Sequence, residues 1–303
     1  MATIRKSTVI NLQKLTKRYG QYRGVEDLSI KVGQGSIFGF LGPNGAGKTT
    51  TISMMMGLIN PTSGKISLFG RDNQKFDTQN RSKIGYLAGD MALDGSLTGW
   101  QELEYFSNLR GSFDKKYIGE LSERLKCDLS RKIKTLSRGN QQKIGLISAL
   151  MNKPELLILD EPTSGLDPLV QAEFNSIIHE HKKAGRTAFV SSHVLSEIQE
   201  ICDQVAFIKE GKLIANMPLK DLFKSAPKKV QVTAKDKILV DIDKLPGVKS
   251  LVQNSGVASF TYSGNIGQLI KFLSGQPMQD LTITEADLEE VFMGYYQKES
   301  EDA

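Results

Sequence analysis

Residues 42–49 read GPNGAGKT, the spacing G-x-x-x-x-G-K-[ST] of a phosphate-binding loop, set between an apolar run, Ser36 to Leu41, and a helix-like segment starting near Lys48. Gly42, Gly45 and Gly47 admit backbone angles closed to other residues, so the loop through Pro43, Asn44 and Ala46 turns successive N–H groups inward around phosphate oxygens. The helix N-terminus adds its dipole. Lys48 is expected to reach the β and γ phosphates as a point charge, Thr49 to ligate magnesium through its hydroxyl, and Thr50 to add a further phosphate contact. These residues predict a nucleoside triphosphate binder.

A second constellation lies downstream. Residues 155–162 read ELLILDEP, an apolar run of the kind buried on both faces of a parallel sheet, ending in two carboxylates. Ligands bind at such strand ends. Asp160 is placed to hold magnesium, and Glu161, expected on the opposite face, to polarise an attacking water. Between the two motifs, LSRGNQQK (Leu136 to Lys143) offers a hydroxyl, a glycine and an outward-facing helix start, suited to the γ phosphate of a nucleotide held by another subunit. SGLD (Ser164 to Asp167) and the apolar strand TAFVSS, ending at His193, follow. A lone histidine after a strand is more often structural than chemical, so its weight comes from the order of the motifs.

The elements that must position these residues follow from periodicity. A hairpin-like β section, about residues 8–41, leads into the loop and a helix with Ile52, Met55 and Met56 on it, then a strand KISLFG ending at Gly70. Residues near Trp100 to Met151 read as helices, with Trp100, Leu103 and Phe106 on one stripe. Strands at Leu156 and Ala188 alternate with a helix carrying Val170, Phe174, Ile177 and Ile178, which predicts a parallel sheet core. Near Lys224 the polar KSAPKK, containing Pro227, reads as a linker. Beyond it KVQVTA, KILVDI, VASFTY and DLTITEA read as strands, and IGQLIKFL and DLEEVFMGYY as helices: a small α+β unit without a catalytic cluster.

The order of motifs resembles the nucleotide-binding subunit of ABC transporters over about the first 220 residues. GPNGAGKT resembles the Walker A loop, LILDE the Walker B strand, LSRGN the signature, SGLD the D-loop and His193 the switch histidine. Tyr19 in TKRYG matches the aromatic on which adenine stacks, worth on the order of 1 kcal/mol. The resemblance implies a P-loop ABC-type α/β fold: an N-terminal antiparallel β section, a parallel-sheet core and a helical subdomain at about 98–151. It assigns residues 1–224 to the cassette and 225–303 to an accessory α+β domain similar to the C-terminal extension of the drug and antibiotic exporter branch.

The implied mechanism is a head-to-tail pair of chains sandwiching ATP and Mg2+. Lys48 of one chain and Ser137 and Gly139 of the other flank the γ phosphate, Glu161 positions water, His193 holds phosphate and water, and Asp167 links the sites. The implied partners are a separate transmembrane permease and a second ATPase subunit, two copies of this chain being the expected pair. The implied location is the cytoplasmic face of the cell membrane. Two departures fall at communicating positions. The usual glutamine or glutamate of the Q-loop aligns with Gly89, so that contact is lost or moved to Asp90, with slowed hydrolysis expected. Arg138 and Asn140 replace the commonest signature residues, Arg138 being expected as a solvated or partner-facing charge.

Composition sets limits. The 303 residues have room for two domains, and the sequence holds no apolar run of eighteen residues and no secretory-type stretch in MATIRKSTVI. Cys127 and Cys202 stand far apart without metal-ligand spacing, which fits a reducing cytosol. A net charge of +5 is too modest to argue for nucleic acid. No N-K-x-D sequence supports guanine reading, so ATP is preferred to GTP. The competing readings are a dimerisation switch without transport, disfavoured by the lack of a long heptad insertion or second cassette, and an importer ATPase, disfavoured by the C-terminal match.

Overall fold

The computed structural model describes residues 7–72, 78–109, 113–224, 227–234, 241–254 and 256–285. They divide into two compact units, Met1–Leu219 and Lys220–Ala303.

In the first unit, β1 (Thr8–Tyr19) and β2 (Tyr22–Gly33) form an antiparallel hairpin whose tight turn uses Gly20 at a left-handed φ of 59°. The chain then leaves that sheet. β3 (Ile37–Leu41) is buried at every residue, which suits the centre of a parallel sheet and not the hairpin section expected to run on to Leu41. After it come α1 (Lys48–Met55), β4 (Ser63–Leu68), β5 (Arg71–Asp72), α2 (Thr78–Ser82) and β6 (Ile84–Leu87). The helical stretch holds α3 (Gly99–Leu109), α4 (Lys115–Arg124) and α5 (Arg138–Leu150). The chain re-enters the sheet with β7 (Leu156–Asp160), followed by α6 (Pro168–Lys183), β8 (Thr187–Ser192), α7 (Leu195–Ile201), β9 (Gln204–Lys209) and β10 (Lys212–Pro218), and α8 (Leu219–Lys224) runs across the boundary between the units.

Two sheets result. The antiparallel one has the order β2-β1-β4-β5 and the larger one β10-β9-β3-β8-β7-β6, parallel except for the edge strand β10. Leu12, Leu15, Leu28 and Ile30 of the first share a core with Phe38, Phe40, Ile158 and Phe189 of the second, and Ile52 and Met55 of α1 belong to it. Each such side chain, fully buried, contributes about 1.5–3 kcal/mol. Helix α6 starts with Asp167 as N-cap and Pro168 in its first turn, ends with the cations Lys182 and Lys183 against the dipole, and buries Val170, Phe174, Ile177, Ile178 and His181. Arg124 at the end of α4 fastens the helical stretch to α6, with Nη1 and Nη2 each 2.8 Å from the Glu180 carboxylate and Nε on Glu173. Of the expected stripe, Leu103 is fully buried, while Trp100 and Phe106 are half-buried. Both cysteines are free and buried, and burial pushes the Cys127 thiol up to about 11.

The second unit is an antiparallel sheet of order β12-β13-β11-β14, built from β11 (Lys228–Ala234), β12 (Val248–Asn254), β13 (Val257–Tyr262) and β14 (Met278–Glu285), with α9 (Ile266–Leu273). Val230, Val232, Phe260, Tyr262, Leu269 and Leu273 form its own core. β12 is a strand the periodicity did not mark, because a register shift and a left-handed Ser250 (φ 52°) break its alternation. Ile242, expected on a strand in KILVDI, lies in a 3₁₀ turn, while residues 235–240 and the helix expected over DLEEVFMGYY lie outside the described residues. Among the described residues no helix is long and apolar enough to cross a membrane.

Candidate nucleotide site

The phosphate loop joins β3, central in the large sheet, to the N-terminus of α1. Gly45 and Gly47 take left-handed φ angles of 79° and 104°. Gly42 does not: its glycine is required by space, since a Cβ would stand 2.2 Å from the Ile208 carbonyl oxygen of β9. A Cβ on Gly47 would likewise meet the Gly24 oxygen of β2 at 2.6 Å, so the loop is pressed between both sheets. Lys48 is buried. Its Nζ donates to the Gly42 and Pro43 oxygens at 2.8 and 3.1 Å and pairs with Glu161 Oε1 at 3.3 Å.

Asp160, buried at the end of β7, accepts from Thr49 Oγ1 at 2.8 Å on one oxygen and from the Ser191 hydroxyl on the other. Glu161 then departs from strand geometry. Its φ of 48° is left-handed, an uncommon state for a non-glycine residue, and its N–H bonds back to the Ser191 oxygens. The expected opposition of the two carboxylates is therefore not observed: they meet adjacent residues of one helix start, Asp160 facing Thr49 and Glu161 facing Lys48. Oε2 of Glu161 lies 3.2 Å from His193 Nδ1, at the end of β8.

A cavity of about 310 Å³ opens over the loop, lined by Tyr19, Arg23, Gly24, Asn44, Gly45, Gly47, Lys48, Thr49, Thr50 and Glu161. Tyr19 is 48% exposed and carries Lys17 Nζ 5.2 Å from its ring centroid. Ser137, Gly139 and Asp167 do not line this cavity. Ser137 is exposed and caps α5 by accepting from Asn140 N, and Asp167 is exposed. The backbone N–H of Val170 bonded to Asp167, with Lys143 and Lys126 nearby, holds the Asp167 carboxyl below its usual value against desolvation. Gly139 and Gly165 touch: a Cβ on Gly139 would stand 2.3 Å from the Gly165 oxygen, which ties the LSRGN segment to SGLD.

At the departure noted above, Gly89 faces the carboxylate, a Cβ there lying 3.2 Å from Asp160 Oδ2. Asp90 is fully exposed, its carboxylate 3.9 Å from Arg138 Nη2.

Three contributors escaped the sequence reading. Ser191 bonds both acidic residues, Gln142 Nε2 donates to the Glu161 and Pro162 oxygens at 3.2 Å, and Arg23 lines the cavity. Ser191 and Gln142 sit inside TAFVSS and LSRGNQQK, where other residues carry the recognisable chemistry, and Arg23 looks like any surface arginine on a hairpin. The Thr49 and Asp160 oxygens suit a hard cation that takes its other ligands from phosphate and water. Among the described residues no cluster of three or more His, Cys, Asp or Glu would hold a metal by itself.

A phosphate loop after a central parallel strand, with a carboxylate pair ending a strand of the same sheet, defines a P-loop nucleoside triphosphatase. The family described as ABC transporter matches residues 25–164. The bacitracin transport ATP-binding protein BcrA of Bacillus licheniformis is 37% identical over 296 residues, covering 95% of this chain and 97% of that protein. The probable multidrug ABC transporter ATP-binding protein YbhF of Escherichia coli (strain K12) is 40% identical over 220 residues, 71% of this chain and 38% of YbhF. A solved ATP-binding subunit of an ABC transporter superposes with a TM-score of 0.65 at 27% identity, covering 71% of this chain and 92% of that one. A cassette solved as a dimer in a post-hydrolysis state with ADP and Pi gives 0.64 at 21% identity, over 69% of this chain and 98% of that one, a likeness of fold. The chain belongs to the ABC transporter family, as an ATP-binding subunit.

Proposed function

We propose that two copies of this chain form a head-to-tail pair that hydrolyses ATP and drives export of drugs, peptides or other amphipathic molecules through a separate transmembrane permease, from the cytoplasmic face of the membrane. The observation that carries the pairing is the split of the motifs: Lys48 lies in the cavity while Ser137 and Gly139 lie outside it, with Ser137 exposed. One chain alone therefore lacks the second wall around a γ phosphate. The cargo class is supported by the relatives named for bacitracin and multidrug transport, the first matched along nearly the whole chain, and the outward direction by the likeness of the C-terminal segment to the exporter branch.

The residues divide the work as follows. Adenine stacks on Tyr19, and the N–H groups of the loop and of α1 receive the phosphates. Magnesium, held by Thr49 and Asp160 with the phosphates, would neutralise their charge. Lys48 exchanges the loop carbonyls and Glu161 for phosphate oxygens, which releases the Glu161 carboxylate to orient water. The water oxygen attacks the γ phosphorus in line, the bond to the bridging oxygen breaks, and ADP departs with that electron pair. Glu161 takes up the proton of the attacking water, while His193 keeps the carboxylate aimed through the contact at Oε2. Ser137 and Gly139 of the partner close on the γ phosphate, and Asp167 joins the two sites. Loss of phosphate then removes the bridge and reopens the pair, and that motion is passed to the permease.

Mixing Lys48→Ala chains with Ser137→Ala chains tests the arrangement. Each variant alone should lose roughly hundredfold or more of its ATPase rate. The mixed pair contains one intact site, so an equimolar mixture should recover toward about a quarter of the unmodified rate. A mixture no more active than its components would remove the shared site.

A further inference from the structure

Charge at the mouth of the cavity is unevenly balanced. Arg23 of β2 lies opposite Arg18 of β1 in the hairpin register. Its Nη1 is 3.2 Å from Glu26 Oε2 and its Nη2 3.6 Å from Glu210 Oε2. Glu26 also pairs with Arg18 at 3.1 Å and with Lys212 at 3.8 Å. Among the described residues three cations thus share two carboxylates, an excess of one positive charge in this group. Desolvation raises the Glu26 carboxyl, but hydrogen bonds from Arg23 and Arg18 and the charge of Lys212 outweigh it and hold the group below its usual value.

Of the three cations, Arg23 is the one that lines the cavity. Its place along a bound nucleotide follows from its neighbours. A Cβ on the adjacent Gly24 would stand 3.0 Å from the Tyr19 ring and 3.4 Å from Thr50 Cγ2, in the first turn of α1. The backbone at Gly24 therefore runs between the aromatic platform and the helix start, and because Arg23 and Gly24 line the same cavity, Arg23 enters it along this stretch. A nucleotide stacked on Tyr19 and gripped at its terminal phosphates by Lys48 carries its ribose and α phosphate there.

We propose that Arg23 is a further nucleotide-binding residue, its guanidinium meeting the ribose and α-phosphate end of the ligand. This rests on reading the cavity as the ATP site. The two flanking carboxylates hold the guanidinium in orientation before the nucleotide arrives, so less side-chain freedom is lost on binding. ATP and ADP share the end that Arg23 meets, and the residue supports both equally, in contrast to a contact with the γ phosphate.

Equilibrium binding of ATP and of ADP, each with magnesium, to the full chain and to Arg23→Ala, Arg23→Lys and Arg18→Ala tests this. Arg23→Ala should raise both Kd values by about fivefold to tenfold with their ratio unchanged, and Arg23→Lys should recover most of the loss. Arg18→Ala, which shares Glu26 but lies outside the cavity lining, should bind as the unmodified chain does. An Arg23→Ala Kd within about twofold of the unmodified value overturns the inference, being no more than an exposed ion pair supplies. An equal loss in Arg18→Ala does so too, because the cluster would then be a brace for the hairpin. An unmodified chain that binds neither nucleotide would remove the ATP-site reading itself, and the inference with it.

Discussion

Glu161 stands between two partners of different character, the buried Lys48 ammonium at 3.3 Å and the half-exposed His193 ring at 3.2 Å. In the proposed mechanism Glu161 orients water, and the two contacts would then serve different ends, the first its release and the second its aim. Glu161→Gln keeps the size and the hydrogen-bonding capacity toward His193 but removes the charge. The variant should bind ATP and remain paired in its presence, while single-turnover hydrolysis falls roughly hundredfold or more. Full turnover in that variant would mean that another group handles the water. Gly89 and Asp90 illustrate how one position in sequence changes a role: the first faces Asp160 without a side chain, and the second, fully exposed, meets Arg138.

Among the elements, α6 joins the SGLD segment at its start to the core at its end, where His181 is buried with Nε2 3.2 Å from the Thr187 oxygen of β8. Burial lowers this imidazole to about 4, although the Thr187 hydrogen bond opposes the shift. The folded pKa lies below the unfolded value, so in the interval between them the unfolded chain binds more protons. Stability is therefore complete above the unfolded value, declines as pH falls from roughly 6.5 toward 4, and loses on the order of 3 kcal/mol from this group. Urea unfolding of the native chain and of His181→Gln across that range should show a pH slope in the first that is reduced in the second. Equal slopes would mean that other groups dominate.

At the scale of the whole molecule, the two units carry separate cores, and every residue lining the candidate nucleotide cavity lies in the first. A chain ending at Lys224, which contains the whole first unit, should fold and bind ATP within about threefold of the full-length affinity, because that unit has a core of its own and carries the described cavity lining. Isothermal titration of the two chains compares them directly, and an unfolded or non-binding truncated chain would show that the second unit is needed for the first. A role of that unit in bracing the pair or in regulation would then appear as a difference in ATP-dependent pairing or in turnover.

Much of this was legible in the residues themselves, because the relevant physics is local. Glycine spacing fixes a phosphate loop, an all-apolar run of five or six residues fixes a strand buried on both faces, and a Ser or Asp before a periodic segment fixes a helix start. What escaped depended on contacts between distant segments. Gly42 owes its identity to a carbonyl of β9, and Glu161 reaches Lys48 through a left-handed turn that strand alternation does not foretell. Arg23 gains its place from a hairpin packed against the loop, and the irregular β12 is a strand only by pairing with β13. The order and types of residues determined by themselves the class of chemistry, since phosphate and its counter-charges demand particular groups at short range. Only the tertiary structure decided which of those groups meet and which stand apart, because that depends on packing between sheets and strands far separated along the chain.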